Sequence, residues 1–168
     1  MGKISKEWLS DCIIGCLEAE ESLATHEEQQ IYENHIEIPF SVIGLLTASG
    51  RLEFEGHIIV FDDGYYIASD MGRTAAKSAI PELRTFIEAL NIHIPYGDVN
   101  IDYDKGRVLF RTYERFWNER AFNSAEFHNA INTHIRANMN YREPIYLLIK
   151  GASSASSQIS KLKDLDII

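Results

Sequence analysis

Gly72-Arg-Thr-Ala-Ala-Lys77-Ser78 ends as a phosphate-binding loop ends, in Lys-Ser. Such a loop wraps a phosphate in backbone N–H groups, and glycines at its start and just before the lysine allow the close approach. Met71 and Ala76 stand at those two places, so the motif fails. Asp102-Tyr-Asp104-Lys-Gly106 opens like a calcium loop. Its glycine comes one residue early, and Tyr113 stands where a bidentate Glu is needed, so a hairpin turn is the better reading. The six histidines are His26, His35, His57, His93, His128 and His134. No two have the four-residue spacing that puts metal ligands on one helix face, and surface or edge-strand positions are expected. Cys12 and Cys16 share a helix face but are not a Cys-x-x-Cys pair, and read as small buried hydrophobes. The tail serines belong to no nucleophile elbow. Arg111, Arg115 and Arg120 interleave with Tyr113, Phe116 and Trp117, a mixture that suits single-stranded nucleic acid. Glu114, Glu119 and the net charge oppose that use. The expectation is no catalytic residue, no metal, no cofactor and no nucleic acid.

The chain has 168 residues, 16 basic and 25 acidic, for a net charge of -9. Counterion release from a phosphate backbone needs clustered Lys and Arg, which this balance lacks. A hydrophobic content of 45% and a charged content of 24% are ordinary for a globular chain. The length suits a single α+β domain over residues 1–150. Residues 151–168 begin Gly-Ala-Ser-Ser-Ala-Ser-Ser, a flexible-linker composition, and read as a flexible Ser-rich tail; Ile159, Leu162 and Leu165, three apart, leave docking as a helical turn as the alternative. No run approaches the ~20 apolar residues that span a bilayer, and no signal peptide is visible. A cytoplasmic protein without membrane contact is expected.

Any site must be positioned by the elements. Residues 98–113 form two alternating runs around Asp104-Lys105-Gly106, a hairpin signature. Val99, Ile101 and Tyr103 share one face, and Val108, Phe110 and Thr112 share the matching one if Tyr103 pairs with Val108. Asp98, Asn100, Asp102 and Asp104 then oppose Arg107, Leu109 and Arg111, acid beside base. Ser5 is a plausible cap for a first helix over residues 5–30, with Trp8, Leu9, Cys12, Ile13, Cys16 and Leu17 as its stripe. Residues 31–50 are ambiguous: Ile36-Glu37-Ile38 alternates like a short strand, Pro39 argues against a central strand there, and residues 40–48 read as a helical turn or a loop. Residues 52–69 read as a strand-rich meander that turns at Asp62-Asp63-Gly64. A second helix begins near Ser78, with Ile80, Leu83, Phe86, Ile87 and Leu90 on one stripe and Pro81 in the first turn. Asn123 with Glu126 opens a third helix. Pro144 should end or kink it.

In this order the chain resembles the YbjN family of small bacterial proteins. The matching residues are Leu90-Asn91, Tyr96-Gly97-Asp98-Val99 and Asp104-Lys105-Gly106-Arg107-Val108, then an amphipathic last helix. Phe61-Asp62-Asp63-Gly64-Tyr65-Tyr66-Ile67 fits the same pattern, and the likeness covers roughly residues 51–149. The resemblance implies a type III secretion chaperone-like fold: a five-stranded antiparallel sheet in the order α-β-β-β-α-β-β-α. It also implies a small acidic dimer that binds other polypeptides, a group often labelled sensory-transduction regulators.

The expected function is therefore a non-enzymatic protein-binding or chaperone-like regulatory module with a protein partner. The alternative is a small-ligand-binding or enzymatic domain whose polar groups, such as His57, His93 and carboxylates, converge only in three dimensions. Ile59, Phe61, Tyr66 and Ala68 lie on one side of the meander and are the expected homodimer face. Tyr113, Phe116, Trp117 and Phe122 are four aromatics in ten residues, and are the expected partner contact.

Overall fold

Helix α1 (Lys6–Ala19) starts where the Trp8 N–H donates to the Ser5 hydroxyl at 3.3 Å and the Leu9 N–H to the Ser5 carbonyl at 3.0 Å. The computed structural model describes residues 5–19, 25–47, 50–95, 97–115 and 122–168, with side chains at all of these but 45–47 and 115. The α1 stripe buries Leu9, Ile13 and Leu17, while Trp8 is exposed and Cys12 and Cys16 are half-buried. The helix ends at Ala19 rather than near residue 30. The apolar stripe stops at Leu17, and β1 begins at Thr25.

Two short strands follow, β1 (Thr25–His26) and β2 (Gln30–Ile31), and then the long strands β3 (Ile36–Thr47), β4 (Gly50–Phe61) and β5 (Gly64–Thr74). A 3-10 turn (Lys77–Ala79) leads into α2 (Ile80–Asn91), with Pro81 in its first turn as expected. Then come β6 (Gly97–Asp102), β7 (Arg107–Arg115), α3 (Ser124–Ile149) and α4 (Ala155–Asp164). These four helices and seven strands make an α+β fold with one antiparallel sheet, ordered β1-β3-β4-β5-β7-β6, with β2 also on β3. The expected sheet had five strands and no β1 or β2.

Strand β3 overturns the reading of residues 31–50. Ile36, Ile38, Phe40 and Val42 are buried, and Glu37, Pro39, Ser41 and Ile43 alternate with them. Pro39 is tolerated because of where its missing N–H points. On that side of β3, β2 pairs residues 36 and 37 and β1 pairs residues 40 and 41. Between them the Pro39 carbonyl accepts the Glu27 N–H at 3.0 Å, and no strand residue asks for a donor.

The chain divides into two compact units. Unit 1 is Met1–Ser69 with Thr112–Thr133, and unit 2 is Asp70–Arg111 with His134–Ile168. In unit 1, α1 packs on β3 and β4. The inner sheet residues Ile36, Ile38, Phe40, Ile58, Val60, Tyr65 and Ile67 are buried, as are Phe127 and Ile131 of α3. Gly56 lies opposite Phe40, and a Cβ there would stand 2.6 Å from the Phe40 ring and 2.6 Å from the Ala68 carbonyl oxygen. We expect Gly56→Ala to cost about 1–3 kcal/mol, since the ring must shift within a packed core. Thermal denaturation measures it, and an unchanged melting temperature would contradict this packing.

In unit 2 a core cluster joins Met71 of β5, Leu83, Phe86 and Leu90 of α2, Val99 and Ile101 of β6, and Val108 and Phe110 of β7. Tyr141, Ile145 and Leu148 of α3 and Leu162 of α4 complete it. The hairpin keeps its even loop, but the strands stop at Asp102 and resume at Arg107. Tyr103 therefore does not pair with Val108. It lies in the turn, 60% exposed, because the Gly106 N–H already closes onto the Asp102 carbonyl at 2.6 Å. Helix α3 runs through Pro144 without ending. Pro144 forfeits one helical hydrogen bond, and the burial of Ile145 and Leu148 beyond it offsets the loss. Residues 151–168, read above as a flexible tail, hold α4. The Ser154 hydroxyl accepts the Ser157 N–H as N-cap, and Glu82 of α2 accepts the Ala155 N–H at 2.5 Å. The serines serve as cap and solvent face, while Ala155 and Leu162 are buried.

Candidate functional site

Alternation along β3, β4 and β5 gives unit 1 a second sheet face, opposite to the helix-covered one. The β4–β5 register pairs Ile59 with Tyr66, His57 with Ala68 and Phe61 with Gly64, across a two-residue turn at Asp62-Asp63. Ile59, Phe61, Tyr66 and Ala68 therefore share this outer face. Ile59 is buried among its neighbours, while Phe61, Tyr66 and Ala68 are half-buried. Ile43 of β3 and Tyr113 of β7 lie on it too, 57% and 52% exposed.

Aromatic rings run across the face. Tyr32 stacks on His35 with centroids 4.5 Å apart, His35 meets Phe61 at 6.0 Å, and Phe61 meets Tyr66 at 5.9 Å. Tyr32 and His35 come from the turn between β2 and β3, held there by the Tyr32 N–H donating to the His35 carbonyl at 2.9 Å. Lys6 braces the same turn from α1, its ammonium donating to the Tyr32 and Glu33 carbonyls. Farther along the face, His57 Nδ1 lies 2.5 Å from a Glu37 carboxylate oxygen, and Arg51 Nε lies 3.0 Å from Glu53. The face is thus aromatic at the β4–β5 turn, with exposed Glu53 and Glu55 at its other end. That chemistry suits contact with another apolar surface rather than with a polar small molecule.

The outer strand surface of unit 2 is built differently. Arg111 grips Asp98 with two hydrogen bonds of 2.8 and 2.7 Å, the acid-base pairing expected of the hairpin. Arg107 pairs with Asp70. Ion pairs that close on themselves leave little for a partner to bind.

Of the four residues expected as a partner contact, Tyr113 and Phe122 are among the described residues, and they lie on different sides of the sheet. Tyr113 points from the outer face, because its neighbour Thr112 is buried on the inner one. Phe122 lies on the inner side, 6.2 Å from Phe127, whose ring meets buried Tyr65 edge-on at 5.5 Å. Phe116 and Trp117 lie outside the described residues.

Sequence reasoning missed a buried polar row on α3. His134, Asn138 and Arg142 are four residues apart and face inward in unit 2. The Asn138 amide donates to the His134 carbonyl at 3.0 Å, and Arg142 donates to the Asn138 side-chain oxygen at 2.9 Å and to the Asp70 carbonyl at 3.0 Å. His134 is 0% exposed, not a surface histidine. Burial first, and the Arg142 charge second, push its pKa down to about 3. The spacing was visible, but Ile131, Ile135 and Met139 gave a competing stripe. His57 of unit 1 is paired with Glu37, and His93 of unit 2 is exposed. Among the described residues no three His, Cys, Asp or Glu side chains gather as metal ligands do, and no helix is long and apolar enough to cross a membrane.

No protein-family model, curated protein or solved structure matches the chain.

Proposed function

We propose that the chain is a non-enzymatic protein-binding module that works as a homodimer through the outer sheet face of unit 1. The aromatic run Tyr32–His35–Phe61–Tyr66 is the observation that carries this reading. Covering a few hundred Å² of such a face returns several kcal/mol at ~25 cal/mol per Å² before association costs. The kinship we propose is with the YbjN-like proteins and their type III secretion chaperone-like fold. The succession α1, β3-β4-β5, α2, β6-β7, α3 supports it, with β1, β2 and α4 as additions. In this reading the protein is cytoplasmic and binds a polypeptide partner, with no nucleic acid, membrane or cofactor.

Light scattering at tens of micromolar tests it. The expected mass is twice the 19.2 kDa of one chain. Phe61→Asp should halve that mass while the circular dichroism spectrum stays the same, because a carboxylate would be trapped inside the contact. A wild-type monomer at this concentration overturns the proposal, as does a folded Phe61→Asp variant that still dimerises.

A further inference from the structure

Strand β6 ends the sheet order, so among the described residues one of its sides has no strand beside it. A bare strand edge offers a row of N–H and C=O groups to any extended chain, including another copy of the same protein. Here the middle of the row is filled from within unit 2. The Val99 N–H donates to the Asn91 side-chain oxygen at 2.8 Å, and the Asn91 side-chain N–H donates to the Val99 carbonyl at 3.0 Å. One carboxamide thus makes the donor-acceptor pair that a residue of a neighbouring antiparallel strand would make. Two residues on, the Ile101 N–H donates to the Asn100 side-chain oxygen at 2.8 Å.

Asn91 is held where it can do this. It is the last residue of α2, which packs on β6 and is anchored by buried Leu83, Phe86, Ile87 and Leu90. A carboxamide meets both backbone groups at once, because it carries a donor and an acceptor side by side. Asp would keep the acceptor for the Val99 N–H alone, and Ser is too short to span both groups.

We propose that Asn91 closes the β6 edge against strand addition by standing in for a neighbouring strand, and that the chain thereby excludes β6-to-β6 pairing with a second copy. The inference does not depend on the proposed dimer.

The test combines amide hydrogen exchange by NMR with light scattering over a concentration series, on wild type, Asn91→Ala and Asn91→Asp. In the wild type the Val99 amide should be protected although its strand is at the edge. In Asn91→Ala its protection should fall about tenfold or more in dilute samples, as one hydrogen bond is lost, while the Phe110 amide is unchanged. As concentration rises the Ala variant should exceed the wild-type mass, with Val99 protection returning as the edges pair. Asn91→Asp keeps the acceptor for the Val99 N–H and places a charge at the edge, so Val99 should stay protected and the mass should match the wild type. A folded Asn91→Ala variant with wild-type exchange at Val99 overturns the proposal. So does one with an unprotected Val99 and wild-type mass at every concentration. If Asn91→Ala does not fold, the Asp variant decides: lost Val99 protection or added mass there overturns the proposal, and wild-type behaviour supports it.

Discussion

Acidification below pH 6.5 is expected to weaken unit 2 through His134. Its folded-state pKa is pushed down to about 3 from an ordinary 6.5. The unfolded chain therefore binds the proton first. The stability contribution is full above pH 6.5 and is lost as the pH falls toward about 3. Within that window each pH unit removes about 1.4 kcal/mol. The cause is structural, since no water reaches the ring and protonation would put a second cation beside Arg142. Urea unfolding at pH 7.5, 6.5, 5.5 and 4.5, for wild type and His134→Gln, isolates the effect. The variant cannot titrate at this position, whereas every other acid and base is common to both proteins. Its stability relative to wild type should rise by about 1.4 kcal/mol for each unit below pH 6.5. Parallel curves would show that His134 takes up its proton in the folded protein.

Phe127→Ala should cost about 3–5 kcal/mol, a large part of the ~5–15 kcal/mol that holds a typical domain together. Phe127 is fully buried, with the Tyr65 ring edge-on at 5.5 Å and Phe122 at 6.2 Å. Truncation removes the ring's transfer energy and leaves a cavity that sheet and helix cannot close. By contrast Phe61→Ala, on the half-open outer face, should cost less than about 1 kcal/mol while weakening self-association. The two phenylalanines separate core from contact within one unit. Denaturant titration of both variants checks this. Equal losses would mean that the outer face is packed as tightly as the inner one.

Local rules made much of the fold legible. The stripe of α2, the Ser5 and Asn123 caps, the turn at Asp62-Asp63 and the acid-base side of the β6–β7 hairpin all follow from period and residue type. Asn123 does cap α3, its side-chain oxygen accepting the Ala125 N–H at 2.9 Å. Errors came where a local rule met a partner distant in sequence. Pro39 argues against a strand unless the gap between β1 and β2 happens to face it. Pro144 argues against a helix unless the next turn is buried. Ser154 looks like linker until Leu83 and its neighbours give Leu162 a surface to dock on.

The candidate site divides the same way. The sequence by itself determined that Ile59, Phe61, Tyr66 and Ala68 share one side of a hairpin, because a two-residue turn sets the register and the pleat has a period of two. It determined nothing about Tyr32 and His35 joining them, since the turn that carries both reaches Phe61 only once β3 lies beside β4. Only the tertiary structure decided that Tyr113 and Phe122 part to opposite faces, that His134 is sealed from water, and that Asn91 serves a strand eight residues away. Each of these depends on which groups remain unpaired or unburied after the backbone has closed, and that is a property of the assembled sheet rather than of any stretch of chain.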